Sequence, residues 1–161
     1  RFVGLDKVYC GTLRLGEITS SYDAETEVIE SVDASGVTEE ACRTVFSQFV
    51  GEQTQQPPMY SAVKIEGQRL YKLARKGIDV DRPDRNITIH HLTLLAKSGP
   101  DVRFEVKCSK GTYIRSLAFD IGKALQVGAH LIALRRSMIG PFSVDKAVDP
   151  TTLQIENGPN A

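Results

Sequence analysis

The stretch VRFEVKCSKGTYIRSL, residues 102–117, decides the fold. Val102, Phe104, Val106 and Cys108 alternate with Arg103, Glu105 and Lys107, the period of a strand with two unlike faces. Gly111 marks a tight turn, and the apolar spacing then changes. From Ile114 to Leu125, Leu117, Ile121 and Leu125 fall on one face of a helix. A strand that turns directly into a helix is the local unit of a mixed fold.

Upstream, Ile87 to Leu95 is a second strand, joined to the first across Ser98-Gly99-Pro100 as a hairpin. Val8 to Leu15 reads as a strand with Tyr9, Leu13 and Leu15 on one face and Thr12 and Arg14 on the other. After the polar stretch Thr19 to Ala24, Glu27 to Val32 pairs back as a short strand. Thr38 is the N-cap of a helix that opens with Glu39 and Glu40 and ends near Gly51. Its inward residues are read as Ala41, Val45 and Phe49, with Phe46 and Val50 beside them. Gln53 to Pro58 is extended, and Tyr60 to Ile65 is a short strand turned by Glu66-Gly67. Gln68 to Lys76 is a short helix with Leu70, Leu73 and Ala74 inward, stopped by Gly77. Downstream of Gly128, Ala129 to Arg136 reads as a further short helix or turn. Met138 to Val144 reads as a last strand interrupted by Gly140-Pro141. The fold class is therefore α+β, an antiparallel β-sheet with flanking helices. Residues 1–150 form one domain and 151–161 a polar tail.

With 161 residues, 41% hydrophobic and 25% charged, the chain resembles an ordinary globular protein able to bury a core. No apolar run is long enough to span a bilayer, so no membrane partner is expected. No secretory pattern opens the chain. It begins at Arg1 with sequence that already reads as structured, as in an internal fragment or a processed chain. Cys10, Cys42 and Cys108 form no CxxC pair and no zinc spacing. Reduced, mostly buried thiols in a reducing compartment follow, with Cys108 in the core. No metal is expected.

The net charge of zero conceals three blocks. Glu17 to Glu52 holds nine acids and one base, Arg43; Lys64 to Lys76 holds five bases and one acid; Arg103 to Arg136 holds seven bases and two acids. The basic blocks fit either solvated faces or a surface for a phosphate backbone. Arg115 stands where a helix opens and offers a rigid fork of donors to a carboxylate or a phosphate, or serves as a structural ion pair. Arg135 and Arg136, with Lys107 and Lys110, make a similar candidate surface. Tyr9, Tyr60 and Tyr71 are either core aromatics or platforms for a nucleobase. His130 has no second ligand or acid nearby and reads as a packing or hydrogen-bonding residue.

Four phrases carry a resemblance: KVYCGTLRLG (7–16), QPPMYSAVK with LYKLARKGI (56–64 and 70–78), CSKGTYIRSL (108–117) and GAHLIALRRS (128–137). Together they resemble TruB-type tRNA pseudouridine synthases, in the bacterial and organellar branch, over about Lys7 to Val148. The resemblance implies a pseudouridine-synthase-like fold and isomerisation of a T-loop uridine in tRNA, without cofactor or metal, by flipping the base into a pocket. It implies that Tyr9 stacks on the flipped base and that Arg115 pairs with an essential aspartate. It further implies that Leu134 packs against the base, and that Tyr113 and Lys110 contact substrate. Lys64, Arg69, Lys72, Arg75 and Lys76 fall in an insertion, about residues 35–85, that grips the T-arm; Arg135 and Arg136 add RNA contacts. The family's aspartate lies in a loop upstream of the segment matching Lys7. The expectation is thus an incomplete catalytic domain, inactive alone, in the cytoplasm or in a eukaryotic organelle. Such a chain would be open to self-association through an exposed sheet edge or to pairing with a missing N-terminal segment. The competing expectation is a non-catalytic RNA-binding or RNA-folding module of the same fold.

Overall fold

The structure is a computed structural model that describes residues 2–65, 67–78, 80–149 and 151. In chain order the elements are β1 (Lys7–Leu15), β2 (Glu17–Thr19), β3 (Val28–Ser31), α1 (Glu39–Gln48), β4 (Gly51–Gln55), β5 (Lys64–Ile65), β6 (Gln68–Arg69) and α2 (Leu70–Ala74). They continue with β7 (Arg85–Ser98), β8 (Asp101–Cys108), α3 (Ile114–Ala124), β9 (Ala129–Ile139), β10 (Phe142–Ser143) and a 3-10 turn (Val144–Lys146). The polar tail expected over 151–161 lies, apart from Thr151, outside the described residues.

The alternation in β8 sets the plane of the core. Val102, Phe104 and Val106 are fully buried, while Arg103 and Lys107 on the other face are exposed. β8 pairs antiparallel with β1, placing Tyr9 opposite Val106 and Leu13 opposite Val102. The full sheet runs β10-β9-β1-β8-β7-β4, and every ladder in it is antiparallel. The α+β expectation therefore holds. α1 and α3 close one face of this sheet through a single cluster. It contains Cys42, Val45 and Phe46 from α1 and Leu117, Ala118 and Ile121 from α3. Phe46 meets Phe104 edge to face, with ring centroids 6.4 Å apart.

Thr38 caps α1 as its sequence requires, its hydroxyl accepting from the Ala41 N–H at 3.1 Å. The buried stripe of α1 is Cys42, Val45 and Phe46, whereas Val50 lies beyond the helix and is exposed. The inward face is thus rotated from the expected Ala41–Val45–Phe49 row, with Phe49 only packed against the margin. All three cysteines are free, and burial pushes the Cys42 and Cys108 thiols up. His130 is buried, and its Nδ1 lies 3.2 Å from the Glu17 carbonyl.

The main correction concerns residues 129–136. They are not a helix or turn but the first two thirds of β9, which runs on to Ile139. Their Ala, Leu and Arg content favours a helix locally. Pairing along the whole length of β1, from Leu15 opposite Ala129 to Lys7 opposite Ile139, outweighs that preference. The last strand expected at 138–144 is the end of β9, a turn at Gly140-Pro141, and β10.

Gly122, on the buried side of α3, is where the helix touches the chain entering β9. A Cβ there would lie 2.2 Å from the Ala129 nitrogen and 2.3 Å from the Gly128 carbonyl carbon. On the same helix, burial pushes the Asp120 carboxyl up to about 6, and Lys123 offsets only part of that shift. A carboxyl raised above its unfolded value leaves stability unaffected below pH 4, where both states are protonated. As pH rises from about 4 to about 6, the unfolded state ionises first and the fold loses stability. Asp120→Asn should therefore stabilise the protein at pH 7 by about 2 kcal/mol and have little effect at pH 4. Chemical denaturation at the two pH values measures this, and equal effects at both would contradict it.

Candidate active site

Residues 19–26 leave β2 and return beside β9. Tyr22 takes a left-handed backbone (φ 63°), and its ring stacks on Phe119 of α3 at 4.1 Å. Hydroxyls fix the loop from within. Thr19 donates to the Asp23 carbonyl at 2.8 Å, and the hydroxyls of Ser21 and Thr26 lie 2.7 Å apart. The Asp23 carboxylate accepts from the Glu25 N–H at 2.8 Å and the Ser21 hydroxyl at 3.2 Å. The loop is tied to β9 by two main-chain bonds of 3.0 Å, Ala24 N–H to the Leu131 carbonyl and Leu131 N–H to the Tyr22 carbonyl.

A second segment is clamped to the N-terminal end of α3. Gln55, buried at the end of edge strand β4, exchanges bonds with the backbone of Tyr113. Its Nε2 donates to the Tyr113 carbonyl at 3.0 Å, and its Oε1 accepts from the Tyr113 N–H at 2.8 Å. The Ser116 hydroxyl donates to the Gln56 carbonyl at 3.0 Å. These bonds carry the chain past Pro57 and Pro58 to Tyr60, and Tyr71 N–H to the Ser61 carbonyl, 3.0 Å, holds the next turn.

Arg115 joins the two segments. Its Nη1 donates to the Ser21 carbonyl at 3.3 Å and lies 3.3 Å from Asp23 Oδ2, while its Nη2 donates to the Tyr60 carbonyl at 2.7 Å. The two side chains are mostly buried, 24% exposed for Arg115 and 18% for Asp23. Such a pair fixes the plane of the guanidinium and leaves Nε and part of Nη2 free for another acceptor. Beside it opens a cavity of about 610 Å³ whose lining includes Arg115, Asp23, Tyr60, Tyr71, Arg75 and Leu134. The Arg75 guanidinium lies 5.6 Å from the Tyr71 ring centroid. Two guanidiniums, the carboxylates of Asp23 and Glu25, two phenol rings and an aliphatic strand wall suit a planar polar heterocycle.

The structure gathers Arg115, Leu134 and Arg75 at this cavity. Tyr9 is packed against the core margin, opposite Arg136 and one step along β1 from the Gly11–Leu134 pair. It shares their face of the sheet without lining the cavity. Tyr113 is the residue before α3, with its ring 6.0 Å from the Arg85 guanidinium, and it too lies outside the cavity. Lys110 and Arg136 line a different cavity. Arg135 is exposed on β9, as are Arg69 on β6, Lys72 on α2 and Lys76 just after α2. Lys64 pairs with Arg69 through the backbone of the β5–β6 hairpin, and its side chain lies outside the described residues. Sequence reasoning missed Asp23 as a partner of Arg115. Its one signal was an acid in a Thr/Ser-rich stretch able to form local side-chain turns. Among the described residues, no three His, Cys, Asp or Glu side chains gather to hold a metal ion, and no helix is long and apolar enough to cross a membrane.

Comparison with known proteins bears on the family and the fold. The model for the N-terminal domain of TruB family pseudouridylate synthases matches residues 1–114. The model for the C-terminal domain of tRNA pseudouridylate synthase B matches residues 115–157. A tRNA pseudouridine synthase B of Bordetella pertussis is 51% identical over 156 residues, covering 96% of this chain and 64% of the relative. One from Saccharophagus degradans is 46% identical, covering 95% of this chain and 50% of the relative. The chain thus spans half to nearly two thirds of the length of these relatives. Among solved structures, a Cbf5-Nop10-Gar1 complex aligns at TM-score 0.63 and 33% identity, covering 89% of this chain and 33% of that one. An H/ACA RNP bound to a substrate RNA containing 2'-deoxyuridine aligns at TM-score 0.59 and 28% identity, covering 89% of this chain and 31% of that one. With a six-stranded antiparallel sheet, the four sequence phrases and both domain models in agreement, the chain belongs to the TruB family of pseudouridine synthases.

Proposed function

We propose that this chain supplies the uridine pocket of a tRNA pseudouridine synthase acting on the T-loop. The observation that carries the reading is Arg115, locked by Asp23 and two main-chain carbonyls at the rim of a tyrosine-lined cavity. The reaction exchanges the N1–C1' bond of uridine for a C5–C1' bond, and a proton leaves C5 while N1 gains one. It involves no net oxidation, so what the protein must supply is orientation, electrostatic stabilisation and a route for the proton that leaves C5. Arg115 keeps the family's reacting aspartate ionised and oriented. Asp23 is a positioning residue that holds Arg115. Leu134 forms the apolar wall for the flipped base, and Tyr9 and Tyr113 flank the same end of the sheet and contact it once substrate is seated. Residues 1–150 are then the greater part of a catalytic domain working in the cytoplasm. Its basic residues, Lys64, Arg69, Lys72, Arg75 and Lys76 within the insertion at about 35–85 and Arg135 on β9, track the T-arm backbone.

The T-arm reading is tested by binding of an unmodified T-arm stem-loop transcript across a salt series. Each lost phosphate contact lowers the log–log salt slope by about 0.7 to 0.9. Lys72→Ala with Arg75→Ala should therefore weaken binding and reduce the slope by roughly 1.5. Unchanged affinity and slope would remove these residues from the interface.

A further inference from the structure

Gln55 is almost fully buried, with 4% of it exposed, and both ends of its carboxamide bond to one residue. Tyr113, with φ of −94° and ψ of 109°, is extended, so its N–H and C=O face the same way. Gln55 Nε2 donates to that carbonyl at 3.0 Å, and Oε1 accepts from that N–H at 2.8 Å. Tyr113 is the N-cap of α3, and its own side chain makes no capping bond. Its carbonyl also accepts from the Leu117 N–H at 3.1 Å, the first bond of the helix. The Gln55 amide thus stands where the peptide of a neighbouring strand would stand in a ladder, one donor beside one acceptor. A glutamate there offers acceptors alone and sets an oxygen against the Tyr113 carbonyl, and a methionine offers no strong donor or acceptor.

This clamp bears on Arg115 from two directions. Tyr113 stands just before Ile114 and Arg115, so holding its peptide groups holds the first turn of α3, from which the guanidinium projects. Gln55 also opens the segment that ends at Tyr60, whose carbonyl receives Arg115 Nη2 at 2.7 Å. Along that segment Pro57 and Pro58 are fully buried and restricted in φ, and the Gln56 carbonyl accepts from the Ser116 hydroxyl at 3.0 Å. One side chain therefore sets both the helix that carries the donor and the segment that carries the acceptor of the Arg115–Tyr60 bond. We propose that Gln55 is a positioning residue of the isomerisation, holding the Arg115 guanidinium in the place and plane at which it meets the reacting carboxylate. This role rests on the pseudouridine synthase reading above. It extends the support of Arg115 beyond Asp23 to a residue whose side-chain bonds go to Tyr113 rather than to Arg115. A catalytic group displaced by about 1 Å loses rate on the order of 100-fold, so a clamp at this distance from the chemistry is felt there.

The test is single-turnover release of the C5 hydrogen from a labelled T-arm transcript, with the chain joined behind the upstream part of a longer relative. Gln55→Met keeps the length of the side chain, and Gln55→Glu keeps its shape. Both should lower the limiting rate by about 10- to 100-fold and change affinity for the transcript by less than about threefold. In the Arg115→Ala background Gln55→Met should cost nothing further, because a group that acts through Arg115 then has nothing to position. Gln55→Asn, with the amide one methylene short of Tyr113, is the milder variant if Gln55→Met does not fold, and the same pattern is expected of it. A wild-type joined protein that binds the transcript and releases no hydrogen would overturn the synthase reading and this role together. An active wild type in which the Gln55 variants lose only affinity, keep the full rate, or lose the same factor with and without Arg115 would overturn the positioning role alone.

Discussion

Arg115→Ala is expected to lower pseudouridine formation by about 100- to 1,000-fold, the scale for losing one preorganised charged donor at a reacting site. The assay is release of the C5 hydrogen from labelled uridine in a T-arm transcript, with the chain joined behind the upstream part of a longer relative. Three bonds are lost together, to the Ser21 carbonyl, the Asp23 carboxylate and the Tyr60 carbonyl. If the guanidinium serves the reacting carboxylate rather than the phosphates, as proposed, the loss should fall mainly on kcat. Arg115→Lys keeps the charge but not the planar fork, and one ammonium cannot reach three acceptors with the same geometry. It should rescue little. Full activity in either variant would remove Arg115 from the centre of the mechanism.

The second large effect is on folding. Gly122→Ala places a methyl carbon within 2.5 Å of two backbone atoms of Gly128 and Ala129 and of the Ala129 Cβ. The neighbours are main chain, so no rotamer change relieves the clash. The same backbone is held by Val127 and Gly128 N–H bonds to the Gly122 carbonyl, at 3.2 and 3.0 Å. Either α3 lifts from β9 or the turn into β9 shifts. The cost should be about 3 kcal/mol, at the upper end for overpacking, and the thermal midpoint should fall by roughly 6–12 °C. A midpoint within a degree of wild type would show that the approach of α3 to β9 is looser than described.

The sheet was legible where one face is apolar and the other charged. β8 and β1 declare themselves by strict alternation, and Thr38 declares the start of α1. β9 was not legible, because its Ala, Leu and Arg residues suit a helix and only the ladder with β1 makes them a strand. β4 reads as merely extended, since Glu-Gln-Thr-Gln has no apolar side and its pairing with β7 comes from tertiary position. At the site, Arg115 was legible as a donor where a helix opens. Its partner was not, because Asp23 reaches it only after residues 19–26 dock on β9. The family resemblance also grouped Lys110 and Tyr113 with Arg115 as substrate contacts. The turn at Gly111, with φ of 82°, separates them, sending Lys110 to the Arg136 side and Arg115 to the Asp23 side.

A fold that holds a uridine for isomerisation leaves a product that can be located in the RNA. The direct measurement is mapping of pseudouridine in an unmodified tRNA transcript. The transcript is incubated with the chain alone, and with the chain joined behind the upstream part of the Bordetella pertussis relative. Pseudouridine is expected at the T-loop uridine with the joined protein, and none when Arg115 is replaced by alanine. A folded, RNA-binding joined protein that leaves the T-loop uridine unmodified would contradict it and leave a binding module in its place.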